Sequence, residues 1–336
     1  MSNSQLLEPN GAAPAAVPAA DDLMAATGSG RVVTLHDGRR AWWRPDDAAW
    51  GATLAGRALT NLGVGSHDRI LVALADSLHR EAFLSGVELI GAQGAPDSAG
   101  MPDAWATVLV TEPFRAFEQA RRPYARVILA HGPETGKAAM EWYQARLPHD
   151  TLVGELWLYP ELPGPIALRC TAGRFHVTTD GLTAAFATEA PVTQVVVTRE
   201  GMAGFQNGRL LSLDWVTPSS CECGSEGLTF GEVVDRGRPL VSRGRRMLRR
   251  DIIDTLFRVP GFGGFATVDL RYDLGLGRDY LQASAAALPG WDARKLAESV
   301  EYALSLRFDI PARAEGLEHA SVIGVTAEDR RGGPQE

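Results

Sequence analysis

Lysine, cysteine and long apolar runs are all scarce in this chain of 336 residues. Only Lys137 and Lys295 are lysines among the 33 basic residues, and the net charge of −8 argues against nucleic acid or an anionic membrane surface as a partner. No apolar run reaches the ~20 residues of a transmembrane helix. The N-terminal segment lacks the basic and apolar regions of a signal peptide, so we expect a cytoplasmic protein with reduced thiols.

The remaining residues predict an α/β fold. Hydrophobic residues make up 45% of the chain, enough to bury a core. An Ala/Pro-rich stretch, 1–25, is expected to be a disordered tail. Residues 26–235 are expected to form the body, in which alternating strand and helix patterns predict a mostly parallel sheet and 161–235 a β-rich section. Residues 236–336 are expected to form a small C-terminal α+β domain.

The three cysteines suggest a metal site. Cys170 precedes His176 by six residues across a predicted tight turn, and Cys221 and Cys223 stand one residue apart in a loop-like stretch. Four sulfur and nitrogen ligands suit a structural, tetrahedral Zn²⁺. Two alternatives stay open at this point, namely three unrelated thiols and a strained redox pair formed by the two neighbouring cysteines.

The same region carries a family likeness. The stretches CECG, GEVVDRGRPLVSRG and RRDIIDTLFRVPGF together resemble the hinge region of phenylacetate-CoA ligases, which belong to the adenylate-forming (acyl-CoA ligase) superfamily. In some members the matching Cys and His positions resemble a zinc site, which favours zinc over the two alternatives. The resemblance extends over roughly residues 25–330 and implies a reduced adenylate-forming fold that binds ATP, Mg²⁺, CoA and an acyl substrate.

The resemblance also implies roles for single residues. Asp214 matches the carboxylate that holds the ribose hydroxyls, and Arg236 matches the hinge arginine. Tyr159 and Glu161 match the family's acid motif, whose glutamate helps to hold Mg²⁺. His131 ends a predicted parallel strand, where ligand crevices open. The expected phosphate-binding turn consists of Thr27, Gly28, Ser29 and Gly30, with a flexible linker as the alternative interpretation.

Departures from the family pattern put ATP, Mg²⁺ and CoA in doubt. The glycine-rich turn has fewer hydroxyls than the family's loop and an arginine in place of its lysine. Pro160 directly precedes Glu161, so the acid loop cannot keep the family's shape. The family uses a lysine near its C-terminus, but Lys295, the last lysine here, is predicted to lie on a solvated helix face. Arginine does not reproduce the geometry of that point charge.

Three functions follow as hypotheses. The favoured one is a repurposed enzyme that acts without ATP on an aryl or polyene-like acyl group, as acid or thioester, by cyclisation, isomerisation or acyl transfer in a biosynthetic pathway. The others are an ATP-dependent acid–CoA ligase and a non-catalytic pseudo-ligase that binds a partner protein.

The expected catalytic candidates are His131, Tyr159 and Glu161. A carrier-bound thioester is a further expected substrate. The chain begins where the family's phosphate loop begins, which predicts exposed apolar surface and a homodimer or partner protein.

Overall fold

The computed structural model describes most of the chain beyond its N-terminal segment. The described residues are 31–34, 40–74, 77–99, 105–112, 124–131, 137–148, 150–159, 162–178, 180–199, 209–224, 227–237, 239–320 and 324–331. The predicted tail, the predicted phosphate-binding turn and Glu161 lie outside them. Among the described residues, none of the helices combines the length and the hydrophobicity that a membrane span requires.

The chain opens with a two-stranded antiparallel pair and continues with alternating helices and strands. These elements are β1 (Arg31–Thr34), β2 (Arg40–Trp43), α1 (Pro45–Asn61), β3 (Arg69–Ala73), α2 (Ser77–Leu89), β4 (Gln93–Pro96), a 3₁₀ turn (Asp97–Ala99), β5 (Val108–Thr111), β6 (Arg126–His131), α3 (Lys137–Gln144) and β7 (Leu152–Leu158). Strands β3 to β7 pair in parallel, which the alternating pattern predicts.

The β-rich section extends the same sheet in antiparallel fashion. Its strands are β8 (Pro165–Arg169), β9 (Phe175–Val177), β10 (Thr183–Phe186), β11 (Thr193–Thr198), β12 (Arg209–Pro218) and β13 (Thr229–Arg236). The sheet has eleven strands among the described residues, in the order β10-β11-β12-β13-β9-β8-β7-β6-β5-β3-β4. The predicted α/β body with a β-rich section is confirmed.

A C-terminal module follows, which we define as the elements after β13. They are β14 (Leu240–Ser242), β15 (Arg245–Met247), α4 (Arg249–Phe257), β16 (Phe262–Asp273), β17 (Arg278–Ala287), α5 (Ala293–Phe308), β18 (Ala312–Leu317) and β19 (Gly324–Asp329). The last four strands form a sheet in the order β18-β17-β16-β19, which gives the predicted small α+β unit.

Helix α1 shows how local sequence sets an element's ends. Pro45 occupies the first turn, where a missing N–H costs nothing, and the Asp47 carboxylate accepts a hydrogen bond of 3.0 Å from the Arg44 backbone N–H. The helix ends before Gly63, whose φ of 75° favours glycine. A Cβ on Gly86 of α2 would lie 2.7 Å from the Gly56 nitrogen of α1. Small residues therefore allow α1 and α2 to pack closely.

Alternation along the parallel strands divides the core between two faces of the sheet. On β3, Ile70 and Val72 pack with the residues of α1 and α2, whereas Leu71 and Ala73 pack on the opposite face. That opposite face belongs to the same apolar cluster as buried residues of α3 and of the C-terminal module. A third cluster lies under the antiparallel strands and contains Trp157 and Tyr159.

Candidate functional site

Two polar clusters lie on the hairpin that β12 and β13 form. At the strand end, Asp214 of β12 is the register partner of Arg236, the last residue of β13. At the turn end, the connection between the two strands carries Cys221 and Cys223. We call these the clasp end and the turn end of the hairpin.

The turn end meets a second hairpin, made by β8 and β9. Cys170 directly follows β8, and its carbonyl accepts a hydrogen bond of 2.9 Å from the N–H of Gly173, whose φ is 75°. This tight turn leads into β9, in which His176 is the register partner of Thr229 at the start of β13. The sheet pairing therefore places the β8–β9 turn beside the two cysteines of the β12–β13 connection.

The four predicted metal ligands converge at this point. The Sγ atoms of Cys170 and Cys221 lie 3.6 Å apart, and the Cys223 Sγ lies 3.2 Å from His176 Nε2. All four candidate ligand atoms lie within 4.8 Å of one another. A tetrahedral zinc with Zn–S bonds of about 2.3 Å separates two sulfurs by roughly 3.8 Å. The donor set and its spacing therefore fit a four-coordinate Zn²⁺.

Neighbouring groups in the cluster influence the ionisation of the Cys221 thiol. The pKa of the Cys221 thiol is affected by several groups: a hydrogen bond from the Cys223 backbone lowers it, while desolvation and the neighbouring thiols of Cys223 and Cys170 raise it. The net shift of the Cys221 pKa is upward, with desolvation as the largest of the raising causes. Because cysteine binds a metal as the thiolate, a bound metal ion would lower the pKa of this thiol.

The clasp end is already charge-balanced within the chain. The Arg236 guanidinium donates from Nε to Asp214 Oδ1 at 2.5 Å and from an Nη to Oδ2 at 2.9 Å. The indole Nε1 of Trp157 on β7 donates to Oδ2 at 2.7 Å, and the Asp214 side chain is 0% exposed. The structure thus brings together two of the predicted nucleotide-site residues, but their charged groups bind each other.

The catalytic candidates occupy different surroundings. Tyr159 is 1% exposed and packs against Trp157 with ring centroids 6.1 Å apart. His131 ends β6 as the register partner of Trp157, so its backbone lies where the sequence predicts, at the end of a parallel strand. Its side chain, like Glu161 and the turn of Thr27, Gly28, Ser29 and Gly30, lies outside the described residues.

Sequence reasoning missed a second buried carboxylate beside the clasp. Asp235 is 0% exposed and accepts hydrogen bonds from Arg249 at 2.7 Å and from Arg246 at 3.2 Å. Arg246 also stacks over the Trp215 ring, 3.9 Å from its centroid. Arginine side chains are mostly exposed in proteins, so the run SRGRRMLRR would ordinarily be assigned to a solvated surface. The signal that could have indicated otherwise is the acidic residue directly before Arg236 at a predicted strand end.

At least three surface cavities are formed by described residues. The two larger ones, of about 840 and 890 Å³, lie between α1 and α2 and between α4 and α5. The smallest, of about 260 Å³, lies beside the turn end and is lined by Arg57, Asp180, Cys170 and His176 among others. None of these three cavities is lined by Asp214, Trp157 or Tyr159.

No protein-family model and no curated protein matches this chain. Solved structures do match at low identity. 2-Hydroxyisobutyryl-CoA ligase (HCL) in the postadenylation state, in complex with 2-HIB-AMP, is 15% identical with a TM-score of 0.69, and the match covers 91% of this chain and 71% of HCL. HCL in the thioesterification state is also 15% identical, but its TM-score is 0.51, with 90% and 73% covered.

Two further structures match the fold. The amide bond synthetase McbA from Marinactinospora thermotolerans is 16% identical with a TM-score of 0.61, covering 86% of this chain and 64% of McbA. The o-succinylbenzoate CoA synthetase MenE from Bacillus subtilis, in complex with OSB-AMP, is 16% identical with a TM-score of 0.59, covering 86% and 65%. This chain therefore has the adenylate-forming fold, as the resemblance of its sequence predicts.

Proposed function

We propose that this protein is an acyl-CoA-ligase-like protein with a degraded ATP site, which acts without ATP on an aryl or polyene-like acyl group. The observation that carries the proposal is that both carboxylate oxygens of Asp214 are bound by side chains of the same chain. The family resemblance implies that this carboxylate binds the ribose hydroxyls of the nucleotide. Here, Arg236 and Trp157 donate hydrogen bonds to both of its oxygens.

A ribose could reach Asp214 only if it displaced those donors. The side chain has no exposed surface, and a displaced Arg236 would leave its own charge without this partner. Truncating one partner of a buried pair typically costs about 3–5 kcal/mol. Two ribose hydroxyls would have to offset a loss of that order before any net affinity appeared, so the clasp supports a site that no longer selects ATP.

The lysines support the same proposal. Lys137 lies at the start of α3 with 71% of its side chain exposed and pairs with Glu141 at 3.8 Å. Lys295 is exposed near the start of α5, as predicted. These are the only two lysines in the sequence, and the described partners of Asp214 are Arg236 and Trp157 rather than a lysine that could stabilise the charge developing when an acyl-adenylate forms.

The chemistry that remains is a reaction of an acyl group as the acid or a thioester, including a carrier-bound thioester. Cyclisation, isomerisation and acyl transfer each need a proton donor or acceptor rather than a triphosphate. We propose His131, Tyr159 and Glu161 for these roles, because His131 ends β6 and the other two come shortly after β7 in the sequence, and open α/β sheets bind ligands at such strand ends. CoA is proposed only as part of such a thioester.

Calorimetry with ATP and AMP, in the presence of Mg²⁺ and a panel of aryl and acyl acids, tests the loss of the nucleotide site. We expect no measurable heat of binding and no acid-dependent release of pyrophosphate. Micromolar binding of ATP that the Asp214→Ala variant loses would show a working ribose site and would overturn the proposal in favour of an ATP-dependent acid–CoA ligase.

A second candidate function is a non-catalytic pseudo-ligase that binds a partner protein. It is favoured by the dense packing of Trp157 and Tyr159, which are 0% and 1% exposed. Incubation of the protein with aryl and polyene acyl thioesters, followed by mass spectrometry, separates the two functions. Turnover that falls in Tyr159→Phe or His131→Ala supports the enzyme. No turnover, together with a stoichiometric complex with another chain, supports the pseudo-ligase.

We further propose that Cys170, His176, Cys221 and Cys223 hold a structural zinc. Four protein ligands complete a tetrahedral shell, so the ion would leave no position for substrate. The ion would cross-link the β8–β9 turn to the β12–β13 connection. Its function would be to fix the register of β9 against β13, the strand that leads into the clasp.

A further inference from the structure

The C-terminal module shares one apolar core with the body. Trp142 of α3 meets Phe257 of α4 edge-on with ring centroids 5.4 Å apart, and Tyr143 lies 5.9 Å from the same ring. Phe257 in turn packs edge-on against Phe262 of β16 at 5.1 Å. Tyr143, Phe257 and Phe262 are 2%, 7% and 1% exposed. These contacts resemble the interior of one domain rather than a surface between two.

Polar contacts reinforce this junction around α4. The Asp254 carboxylate accepts a hydrogen bond of 3.0 Å from the Ala138 N–H at the start of α3. Arg250 pairs with Glu232 of β13. Arg249 binds buried Asp235 of β13 at 2.7 Å and donates to the Ala327 carbonyl of β19 at 2.8 Å. The α4 side chains therefore bind the body and the C-terminal sheet together.

The two HCL structures show that the adenylate-forming fold can arrange its parts in more than one way. The same neighbour, with nearly the same coverage and identity, superposes on this chain with a TM-score of 0.69 in the postadenylation state and 0.51 in the thioesterification state. The present arrangement is therefore close to the first of these two and differs from the second.

We infer that the C-terminal module is fixed on the body in this single arrangement. Relative motion of two units is the default where their interface is small and polar, and not where it is large and apolar. A rotation of α4 away from α3 would expose Tyr143, Phe257 and Phe262 to water. It would also leave the buried Asp235 charge without Arg249.

A fixed module limits the class of reaction. Any conversion must finish in one arrangement of the chain, which fits a single-step change of an acyl group and excludes a two-stage reaction that needs both HCL arrangements. The inference goes beyond the proposed function and does not depend on it, because a chain that binds ATP could be equally rigid.

Distance measurement by double electron–electron resonance tests the inference. Spin labels attached through unnatural amino acids at Glu88 of α2 and Glu298 of α5, both exposed, leave the three cysteines untouched. We expect one narrow distance population that stays unchanged with an acyl thioester, CoA, or ATP and Mg²⁺. Two populations, or a shift of the mean distance with any of these ligands, would overturn the inference.

A pair of variants locates the cause of the rigidity. Trp142→Ala removes the edge-on contact with Phe257 and is expected to add a second distance population. Tyr302→Ala, at a side chain that is 70% exposed on α5, is the matched control and should keep the single population. If Trp142→Ala does not fold, hydrogen exchange of the α4 amides in the wild-type protein provides the test instead. Protection equal to that of β6 supports the inference, and exchange more than about 100-fold faster contradicts it.

Discussion

The two ends of the β12–β13 hairpin differ in how their polar groups are balanced. At the turn end, three thiols and an imidazole crowd together, and Cys223 is exposed. At the clasp end, Asp214 is fully buried and its charge is balanced by Arg236 within the chain. The turn end therefore offers the ligands for an ion from solution, whereas the charge of Asp214 at the clasp end is already balanced by Arg236. The Asp214 carboxylate must lose its contact with Arg236 before it can bind a ligand.

The largest effect is expected from breaking the clasp. Arg236→Ala leaves the Asp214 charge buried with only the Trp157 N–H bound to it, and we expect a loss of about 3–5 kcal/mol in the free energy of unfolding. Urea denaturation measures this loss. The double variant Arg236→Ala/Asp214→Ala should recover part of it, because the unpaired charge is gone.

Arg245→Ala is the matched control for that experiment. Arg245 is 78% exposed and pairs at 3.8 Å with Asp309, which is 83% exposed, so its removal should change stability by less than about 0.5 kcal/mol. If Arg236→Ala costs no more than Arg245→Ala, the clasp does not stabilise the body and the argument for a closed ribose site fails.

The turn end is expected to respond next most strongly. Cys170→Ser replaces a proposed thiolate ligand by a weakly binding hydroxyl, so we expect one equivalent of zinc in the wild type and none in the variant, as measured by elemental analysis. If the wild type is held at 100 times its dissociation constant for zinc, binding contributes about 2.7 kcal/mol to the free energy of unfolding, which this variant should lose.

Ser220→Ala, at an exposed neighbour of Cys221, is the control and should keep both the metal and the stability. The zinc proposal is wrong if wild-type protein, purified under reducing conditions without chelator, holds no zinc and unfolds like Cys170→Ser. In that case the open alternatives of unrelated thiols or a redox pair return.

A smaller loss of stability is expected when a tryptophan loses its hydrogen bond, and its size should depend on whether the acceptor is charged. In the wild type, the Trp157 and Phe230 rings meet edge-on with centroids 5.1 Å apart. Trp157→Phe keeps an aromatic ring beside Phe230 but removes the hydrogen bond to Asp214. Bonds to charged groups contribute about 1.5–3 kcal/mol, so we expect a loss of about 2 kcal/mol in urea denaturation. Trp215→Phe loses a bond of 3.1 Å to the neutral Gly237 carbonyl and should cost about half as much. Equal losses would contradict a charged clasp.

The smallest effect is expected at an exposed ion pair beside the turn end. A hydrogen bond from Arg57 holds the pKa of Asp180 below its usual range, with desolvation acting in the opposite direction. Because the folded pKa is lowered, the stabilisation is complete above the unfolded pKa of about 3.9 and disappears as pH falls through the folded value. Asp180→Asn should therefore lower the urea midpoint slightly at pH 7 and not at low pH.

Salt sharpens the contrast between this exposed pair and the clasp. The effect of Asp180→Asn at pH 7 should fade in 1 M salt, because solvent ions screen an exposed pair. The effect of Arg236→Ala should persist, because Asp214 has no exposed surface. An Asp180 effect that grows at low pH or survives high salt would contradict this assignment.

The sequence predicted elements where a periodic pattern was strong. The run RILVA alternates between two apolar faces as β3, and Asp46 and Asp47 lie in the first turn of α1. It also predicted which four residues come together as a possible metal site, because C-x-C and a short Cys-to-His spacing are local signals. It missed the Asp235 network, since the partners Arg246 and Arg249 form no spacing pattern that marks them as buried.

By itself, the sequence determined the α/β order of elements, the shortage of lysine and the ligand types at the turn end, all of which depend on residue type and near neighbours. Only the tertiary structure decided which polar groups satisfy one another. Trp157, Asp214 and Arg236 come together because β7, β12 and β13 share one sheet, and a buried carboxylate binds the nearest donors that the sheet presents. The same long-range packing, between α3 and α4, joins the C-terminal module to the body.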